Sequence, residues 1–286
     1  MIPPEELELQ LPSLRLAARA WGPPDGHRVL ALHGWQDNAA TFDLLVPRLG
    51  DGLRVVALDL TGHGLSDHRP EGVGYTFLDW VIDAHAAIDA LGWDRCSILG
   101  HSLGVGIGNA LAATWPERVD LVAGIDGFAP RTDEPWMAPT RLAECVQSRT
   151  HLRSRPARVL PDIEAAAARL CERIRGLPIE GARILAARGT KTIDGGVTWR
   201  RDPIIQAGPP LRLDDAQIDA FLGAIRCPVL LVRPRGGWPV DDDVIERLQH
   251  SIQDLRIELI DGGHHVHLEH PDVVAGIVRP FFESPA

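Results

Sequence analysis

Ser102 stands in Gly100-His101-Ser102-Leu103-Gly104, between a short apolar run and a stretch with helical spacing. A serine on a sharp strand-to-helix turn presents its hydroxyl to substrate, and the tightness of that turn demands small residues two positions before and after it. The helix start behind such a serine also offers free amides and partial positive charge to a developing anion. This is nucleophile chemistry, and it needs a base. Histidines crowd a later segment, Gly262-Gly263-His264-His265-Val266-His267-Leu268-Glu269-His270-Pro271. A loop after a strand gives an imidazole the reach that general base catalysis requires. His264, directly after the glycine pair, is the expected base, and His265 and His267 are expected to brace the loop or the core. Three close histidines also raise the question of a metal. No cysteine accompanies them, and the nearby carboxylates are Asp261 and Glu269. We therefore expect no metal and no cofactor.

Acyl transfer through a tetrahedral intermediate needs two backbone donors aimed at the oxyanion. The amide of Leu103, next to the nucleophile, is one expected donor. The other is the amide of Trp35 in Leu32-His33-Gly34-Trp35, where the glycine leaves the backbone free to turn its N–H toward the site. Asp59-Leu60-Thr61-Gly62-His63-Gly64-Leu65-Ser66, after the next strand, is expected to brace this loop rather than do chemistry. An acid must orient the imidazole and stabilise its cation, and here two places compete. After the apolar run Val229–Val232, where G-x-x-D is usual, the chain reads Arg233-Pro234-Arg235-Gly236-Gly237-Trp238-Pro239. Asp241, Asp242 and Asp243 follow, and they look like the acidic first turn of a helix over Val244–Gln249. Asp126, in Gly124-Ile125-Asp126-Gly127, ends the preceding apolar run and is favoured. The Asp241–Asp243 group, or a water-mediated or absent acid, remains open. His101, Trp136, Trp199 and Trp238 are the candidate lining of a substrate pocket.

These residues need a scaffold. Glu6–Leu11 and Leu14–Ala20 alternate apolar and polar residues around Pro12-Ser13 and read as an antiparallel hairpin. Short runs rich in Val, Ile and Leu follow at Val29–Leu32, Val55–Leu58, Ser97–Leu99, Leu121–Ile125, Val229–Val232 and Ile257–Ile260. Lacking alternation, they fit strands buried on both faces of a parallel sheet. Helical patterns over Phe77–Leu91, Gly104–Trp115 and Asp215–Leu222 lie between them. Alternating strand and helix argues for right-handed crossovers and an α/β, doubly wound, mostly parallel sheet. The interval from Ile125 to Pro228 breaks the rhythm. It holds helical patterns (Glu134–Thr150, Ile163–Arg175, Glu180–Ala187) and no convincing buried strand, so it reads as an inserted helical cap. The expected division is a core of residues 1–127 and 214–286 with a cap over 128–213.

Composition limits the partners. The 286 residues carry 39 acidic and 29 basic side chains, a net charge of −10. That balance argues against nucleic acid, whose phosphates call for clustered Lys and Arg. Arg149, Arg153, Arg155 and Arg158 form a local basic cluster that reads as a solvated face. Cys96, Cys145, Cys171 and Cys227 are far apart with no CxxC pair, as expected of thiols in a reducing compartment. No basic-then-apolar leader opens the sequence, and nothing approaches the ~18 continuous apolar residues of a membrane span. The expected setting is cytoplasmic, with a small-molecule substrate; monomer and homodimer are both open.

Taken together, the motifs at Leu32–Trp35, Asp59–Gly64, Gly100–Gly104 and Gly263-His264…Pro271 resemble the α/β-hydrolase superfamily along the whole chain. Within it, His33-Gly34-Trp35-Gln36-Asp37-Asn38-Ala39, Arg188-Gly189-Thr190-Lys191 with Gly196 and Arg201-Asp202, and His264-His265-Val266-His267 resemble the serine hydrolase-like, kraken-related subgroup. The resemblance implies the α/β-hydrolase fold and a Ser102–acid–His264 chain order, and it supports His264 seven residues before Pro271 as the base. The ground plan is also similar to haloalkane dehalogenases and epoxide hydrolases. Some dehalogenases place the acid at the end of the strand before the cap, which supports Asp126. Their chemistry does not transfer, because an Asp nucleophile is replaced by Ser102 and the cap contains no Tyr. The expected activity is cleavage of a small carboxylic ester. Perhydrolysis or C–C bond hydrolysis by the same residues, and a non-enzymatic ligand-binding role, are the alternatives.

Overall fold

The computed structural model describes residues 4–240 and 242–283. Among the described residues ten strands are formed: β1 (Glu5–Gln10), β2 (Arg15–Trp21), β3 (His27–Leu32), β4 (Leu53–Leu58), β5 (Cys96–His101), β6 (Val119–Ile125), β7 (Thr190–Ile193), β8 (Gly196–Trp199), β9 (Val229–Gly236) and β10 (Leu255–Gly263). Eight of them make one sheet in the order β1-β2-β4-β3-β5-β6-β9-β10. The β1–β2 hairpin and the β2–β4 pair are antiparallel; every other neighbouring pair is parallel. This is the mostly parallel α/β sheet that the apolar runs predict. Val29–Leu32 and Val55–Leu58 are buried throughout, because a sheet covered on both faces leaves neither side of the strand to water.

The helices are α1 (Phe77–Ala90), α2 (Leu103–Thr114), α3 (Ala138–Ser154), α4 (Ile163–Arg173), α5 (Ile179–Gly189), α6 (Asp215–Ala224), α7 (Asp242–Ser251), the one-turn α8 (Val266–Glu269) and α9 (Pro271–Glu283). One face of the sheet packs with Trp80, Ala84 and Ile88 of α1, Ile107 and Leu111 of α2, and Ile218 and Leu222 of α6. The other packs with Val274, Val278 and Phe282 of α9 and with Phe42, Leu45 and Val46 of the segment after β3. Thr76 starts α1 with a capping box: its hydroxyl accepts from the Asp79 amide while the Asp79 carboxylate accepts from the Thr76 amide, which satisfies two otherwise orphaned donors.

A third apolar cluster joins Ala166 and Ala167 of α4 to Leu177, to Ala182 and Leu185 of α5, and to Leu268 of α8. It ties the stretch between β6 and β9 directly to the segment that carries the histidines. Two details of this stretch differ from the sequence reading. The helix expected from Glu134 begins at Ala138, behind a short turn at Pro135–Met137. The reading holds no convincing buried strand, and it does not include the partly exposed antiparallel hairpin that β7 and β8 form outside the main sheet. Its Asp194-Gly195 tip, with Gly195 at φ 82°, was a readable signal, since Asp-Gly is among the strongest hairpin turns. Arg188 fastens the stretch to the sheet. It is buried, its Nε donates to both Asp59 carboxylate oxygens at 3.1 and 2.9 Å, and its Nη1 donates to both Glu6 oxygens at 2.9 Å. Its Nη2 is shut from solvent without a partner, yet a buried cation held by two carboxylates is far costlier to break than a surface pair.

Candidate active site

Ser102 links the end of β5 to the start of α2 with φ 52° and ψ −114°. That backbone is strained for any residue with a side chain. It is held from both sides, by the Ser102 amide donating to Ile125 O at 3.0 Å and by Ser102 O accepting from Val105 N at 3.0 Å. Tightness explains the glycine at 104, since a Cβ there would lie 1.9 Å from Leu32 O. Strand β3 and helix α2 can approach this closely only without it.

Asp126 leaves β6 with φ 42°, its amide donating to Val232 O at 2.9 Å. Its carboxylate is fully buried. Oδ2 faces His264 Nδ1 at 2.6 Å and accepts from the Trp238 amide at 2.8 Å. Gly237 makes this possible, because a Cβ there would fall 2.4 Å from Oδ2 and 2.6 Å from Oδ1. Gly237, directly after β9, thus borders the space in which the Asp126 carboxylate sits. Asp241 and the side chains of Asp242 and Asp243 lie outside the described residues.

His264 follows β10 and keeps about a quarter of its side chain exposed, at 23 %. With Nδ1 committed to the anionic Asp126, the proton belongs on Nδ1 and Nε2 is left as the acceptor. The Trp238 ring lies 5.8 Å from the imidazole, centroid to centroid. The backbone of His264 is pinned as well: its carbonyl accepts from His101 Nε2 at 2.9 Å, and the preceding Gly263 amide donates to Glu269 Oε2 at 2.7 Å. His101, expected in the pocket lining, is therefore fully buried beneath the site and holds the chain that carries His264. Burial first, and then the charges of His267, His265 and His264, push its pKa well below the usual histidine range.

The loop after β3 is cross-linked by two neutral imidazoles. His33 Nδ1 donates to Gly34 O at 2.7 Å while its Nε2 accepts from Leu60 N at 3.0 Å. His63 Nδ1 donates to Thr61 O at 3.2 Å and its Nε2 accepts from Gln36 N at 3.1 Å. Burial is the largest cause that lowers the pKa of each, and that of His63 is pushed well down. Only the neutral ring can donate with one nitrogen and accept with the other, so the shifted pKa and the hydrogen bonds agree. Because Gly34 O is held by His33 and by the Asp37 amide at 3.1 Å, the trans peptide points the Trp35 N–H the opposite way. Among the described residues, neither the Trp35 amide nor the Leu103 amide has an acceptor. Gly34 lies against the Ser102 turn, where a Cβ would be 3.2 Å from Ser102 Cβ. Asp59 braces the loop, accepting from Ala39 N at 2.8 Å and Leu65 N at 2.7 Å.

The remaining histidines are also placed. His265 Nε2 donates to Asp37 Oδ2 at 3.2 Å; burial disfavours that carboxylate, but the His265 bond and neighbouring imidazoles outweigh it and hold Asp37 below its usual range. His267 is fully buried, with Nε2 2.7 Å from the Thr41 hydroxyl. His101, His264 and His265 bring one ligand atom each within 4.8 Å of one another, looser than the roughly 3.4 Å between ligands of a tetrahedral zinc. Of the tryptophans, Trp238 reaches His264 and Trp199 stacks under Arg201. Trp136 is 73 % exposed on the turn before α3, where the structure does not bring it to the other candidates.

Fold and site geometry define an α/β hydrolase, and the chain belongs to that family: the model for the alpha/beta hydrolase fold matches residues 27–271. It is a hydrolase similar to the serine hydrolase-like proteins. That of Danio rerio is 33 % identical over 288 residues, spanning 97 % of this chain and 88 % of the relative. Among solved structures, a hypothetical protein from Pseudomonas aeruginosa PAO1 superposes with a TM-score of 0.93 at 39 % identity, covering 98 % of this chain and all of that one. A thioesterase domain from the curacin biosynthetic pathway gives a TM-score of 0.85 at 25 % identity, over 99 % of this chain and all of the domain. Among the described residues no helix is long and apolar enough to cross a membrane.

Proposed function

We propose that the chain is a serine hydrolase that cleaves small carboxylic esters through an acyl-enzyme, with Ser102 as nucleophile, His264 as general base and Asp126 as the orienting acid. The observation that supports this most is the 2.6 Å contact between His264 Nδ1 and the buried Asp126 carboxylate. It leaves Nε2 as the acceptor on a histidine whose carbonyl is held by His101, the residue before Ser102. In this reading Nε2 takes the Ser102 proton as Oγ attacks the carbonyl carbon, and Asp126 stabilises the imidazolium. The amides of Trp35 and Leu103 receive the oxyanion; among the described residues neither has an acceptor. His264 then gives its proton to the leaving alcohol. A water, activated by the same nitrogen, releases the acyl group and restores Ser102.

The proposed division assigns residues 1–127 and 214–286 to the catalytic core and 128–213 to a cap above the site, with Trp199 and Trp238 lining the space between. The similarity to a thioesterase domain sets thioesters beside oxygen esters as substrates to compare. Four unpaired thiols fit a reducing, cytoplasmic setting. The test is labelling with a fluorophosphonate followed by mass-spectrometric mapping. We expect modification at Ser102, loss of labelling in Ser102→Ala, and hydrolysis of 4-nitrophenyl acetate that survives EDTA. Labelling elsewhere, or an unlabelled protein, overturns the proposal.

A further inference from the structure

Two arginines between the inserted stretch and the oxyanion-side loop have no acidic partner. Among the described residues, neither Arg173 nor Arg201 has a carboxylate within 4.0 Å, which is equally true of Arg149, Arg153, Arg155, Arg158, Arg175 and Arg200, whereas Arg141, Arg183, Arg188 and Arg212 are paired. Arg201 is partly buried, its Nε is shut from solvent with no hydrogen-bond acceptor, and its guanidinium carbon sits 4.6 Å from the Trp199 ring centroid. Burial, and after it the like charge of Arg173, pull its pKa down to about 10. A cation so placed is costly unless something answers it.

Its position suggests what that is. Asp202, next in sequence, donates its amide to Gly62 O at 2.8 Å. His63 is the ring that holds the Gln36 amide, and the Trp35 indole reaches Ile205 O at 3.3 Å. The Arg201 segment therefore lies along the loop proposed to supply the Trp35 oxyanion donor. Arg173 ends α4, and the turn that follows it covers the other side of the site: a Cβ on Gly263, the residue before His264, would lie 2.9 Å from Arg175 O. With its guanidinium carbon over the Trp199 ring and Nε shut from solvent, Arg201 has its two terminal Nη groups left to meet a planar anion.

We propose that Arg201, assisted by Arg173, binds a carboxylate on the substrate, so that the preferred substrates are esters or thioesters of carboxylate-bearing acids. This rests on the hydrolase reading above, and two measurements keep them separable. The first compares kcat/KM for mono(4-nitrophenyl) glutarate and 4-nitrophenyl pentanoate, acyl groups of equal carbon count that differ in the terminal carboxylate. Wild type is expected to prefer the glutarate. Arg201→Gln should lower the glutarate-to-pentanoate ratio by about ten- to a hundredfold, chiefly through KM, the range of one hydrogen-bonded charge. Arg201→Lys should recover part of it, and Arg173→Gln should give a smaller fall. A ratio unmoved by Arg201→Gln, or equal losses on both esters, overturns the proposal. If Arg201→Gln does not fold, an unchanged ratio in both Arg201→Lys and Arg173→Gln does the same. The second measurement is calorimetric titration of free glutarate into Ser102→Ala, with and without Arg201→Gln. Binding that disappears with Arg201 upholds the anion subsite even if Ser102 is never labelled, and binding that persists refutes it.

Discussion

Replacing Asp126 by asparagine isolates one charge at the centre of the proposed site. The carboxylate is wholly buried, and Oδ2 serves both His264 Nδ1 and the Trp238 amide, so solvent does not screen its effect on the imidazole. Two outcomes bracket the loss. If the new amide places its oxygen at the Oδ2 position, both hydrogen bonds survive and only the stabilisation of the imidazolium is lost, about a hundredfold in kcat. If the NH2 group faces His264 instead, Nδ1 must become the acceptor and the proton moves to Nε2. The ring can then no longer receive the Ser102 proton, and the loss approaches about ten-thousandfold. The two limits correspond to about 3 and 5 kcal/mol of transition-state stabilisation. The Trp238 N–H favours the first arrangement, since an NH2 group at that position would face another donor. Steady-state hydrolysis of 4-nitrophenyl acetate measures the fall, with circular dichroism and the melting temperature confirming an unchanged fold. A well-folded variant with kcat close to wild type would refute the reasoning and move the orienting role to the Asp241–Asp243 group.

Two further outcomes follow from particular contacts. Gly237→Ala puts a methyl group into the space of the Asp126 carboxylate, so kcat should fall at least tenfold while the melting temperature changes little; an unaffected kcat would mean that the carboxylate is not held where it acts. The fold should also weaken as the medium turns acidic. His33, His63, His101 and His267 have pKa values depressed by burial, so below pH ~6.5 the unfolded chain takes up protons that the native one refuses. Stability is then complete above that pH and declines below it, by up to about 1.4 kcal/mol per pH unit for each histidine. Asp43 and Asp83, raised chiefly by burial, act in the opposite sense lower down. Melting temperatures between pH 8 and pH 5 test this, and a flat profile would contradict it.

The strands were legible because a sheet covered on both faces demands unbroken runs of branched apolar residues, and Val29–Leu32 and Val55–Leu58 have little other use. The Ser102 turn was legible for a similar reason: Gly104 is required by a backbone contact that no other residue survives. The partner of His264 was harder to read. Gly236 and Gly237 break the usual acidic pattern after β9, and only the three-dimensional contact shows Gly237 bordering the Asp126 carboxylate. His101 misled because proximity to Ser102 in sequence says nothing of direction; strand alternation turns it inward, onto the carbonyl of His264. The β7–β8 hairpin escaped because its strands are four residues each and lie outside the main sheet, although Asp194-Gly195 marked the turn.

Arg188 has a mechanical consequence. Its fork grips the strand end at Asp59 and the first strand at Glu6 together, so lifting α5 away would strand three charges at once, one of them wholly enclosed. That helix must stay moored while reactants come and go. In the proposed division, any opening of the cap would then have to come from elements other than α5.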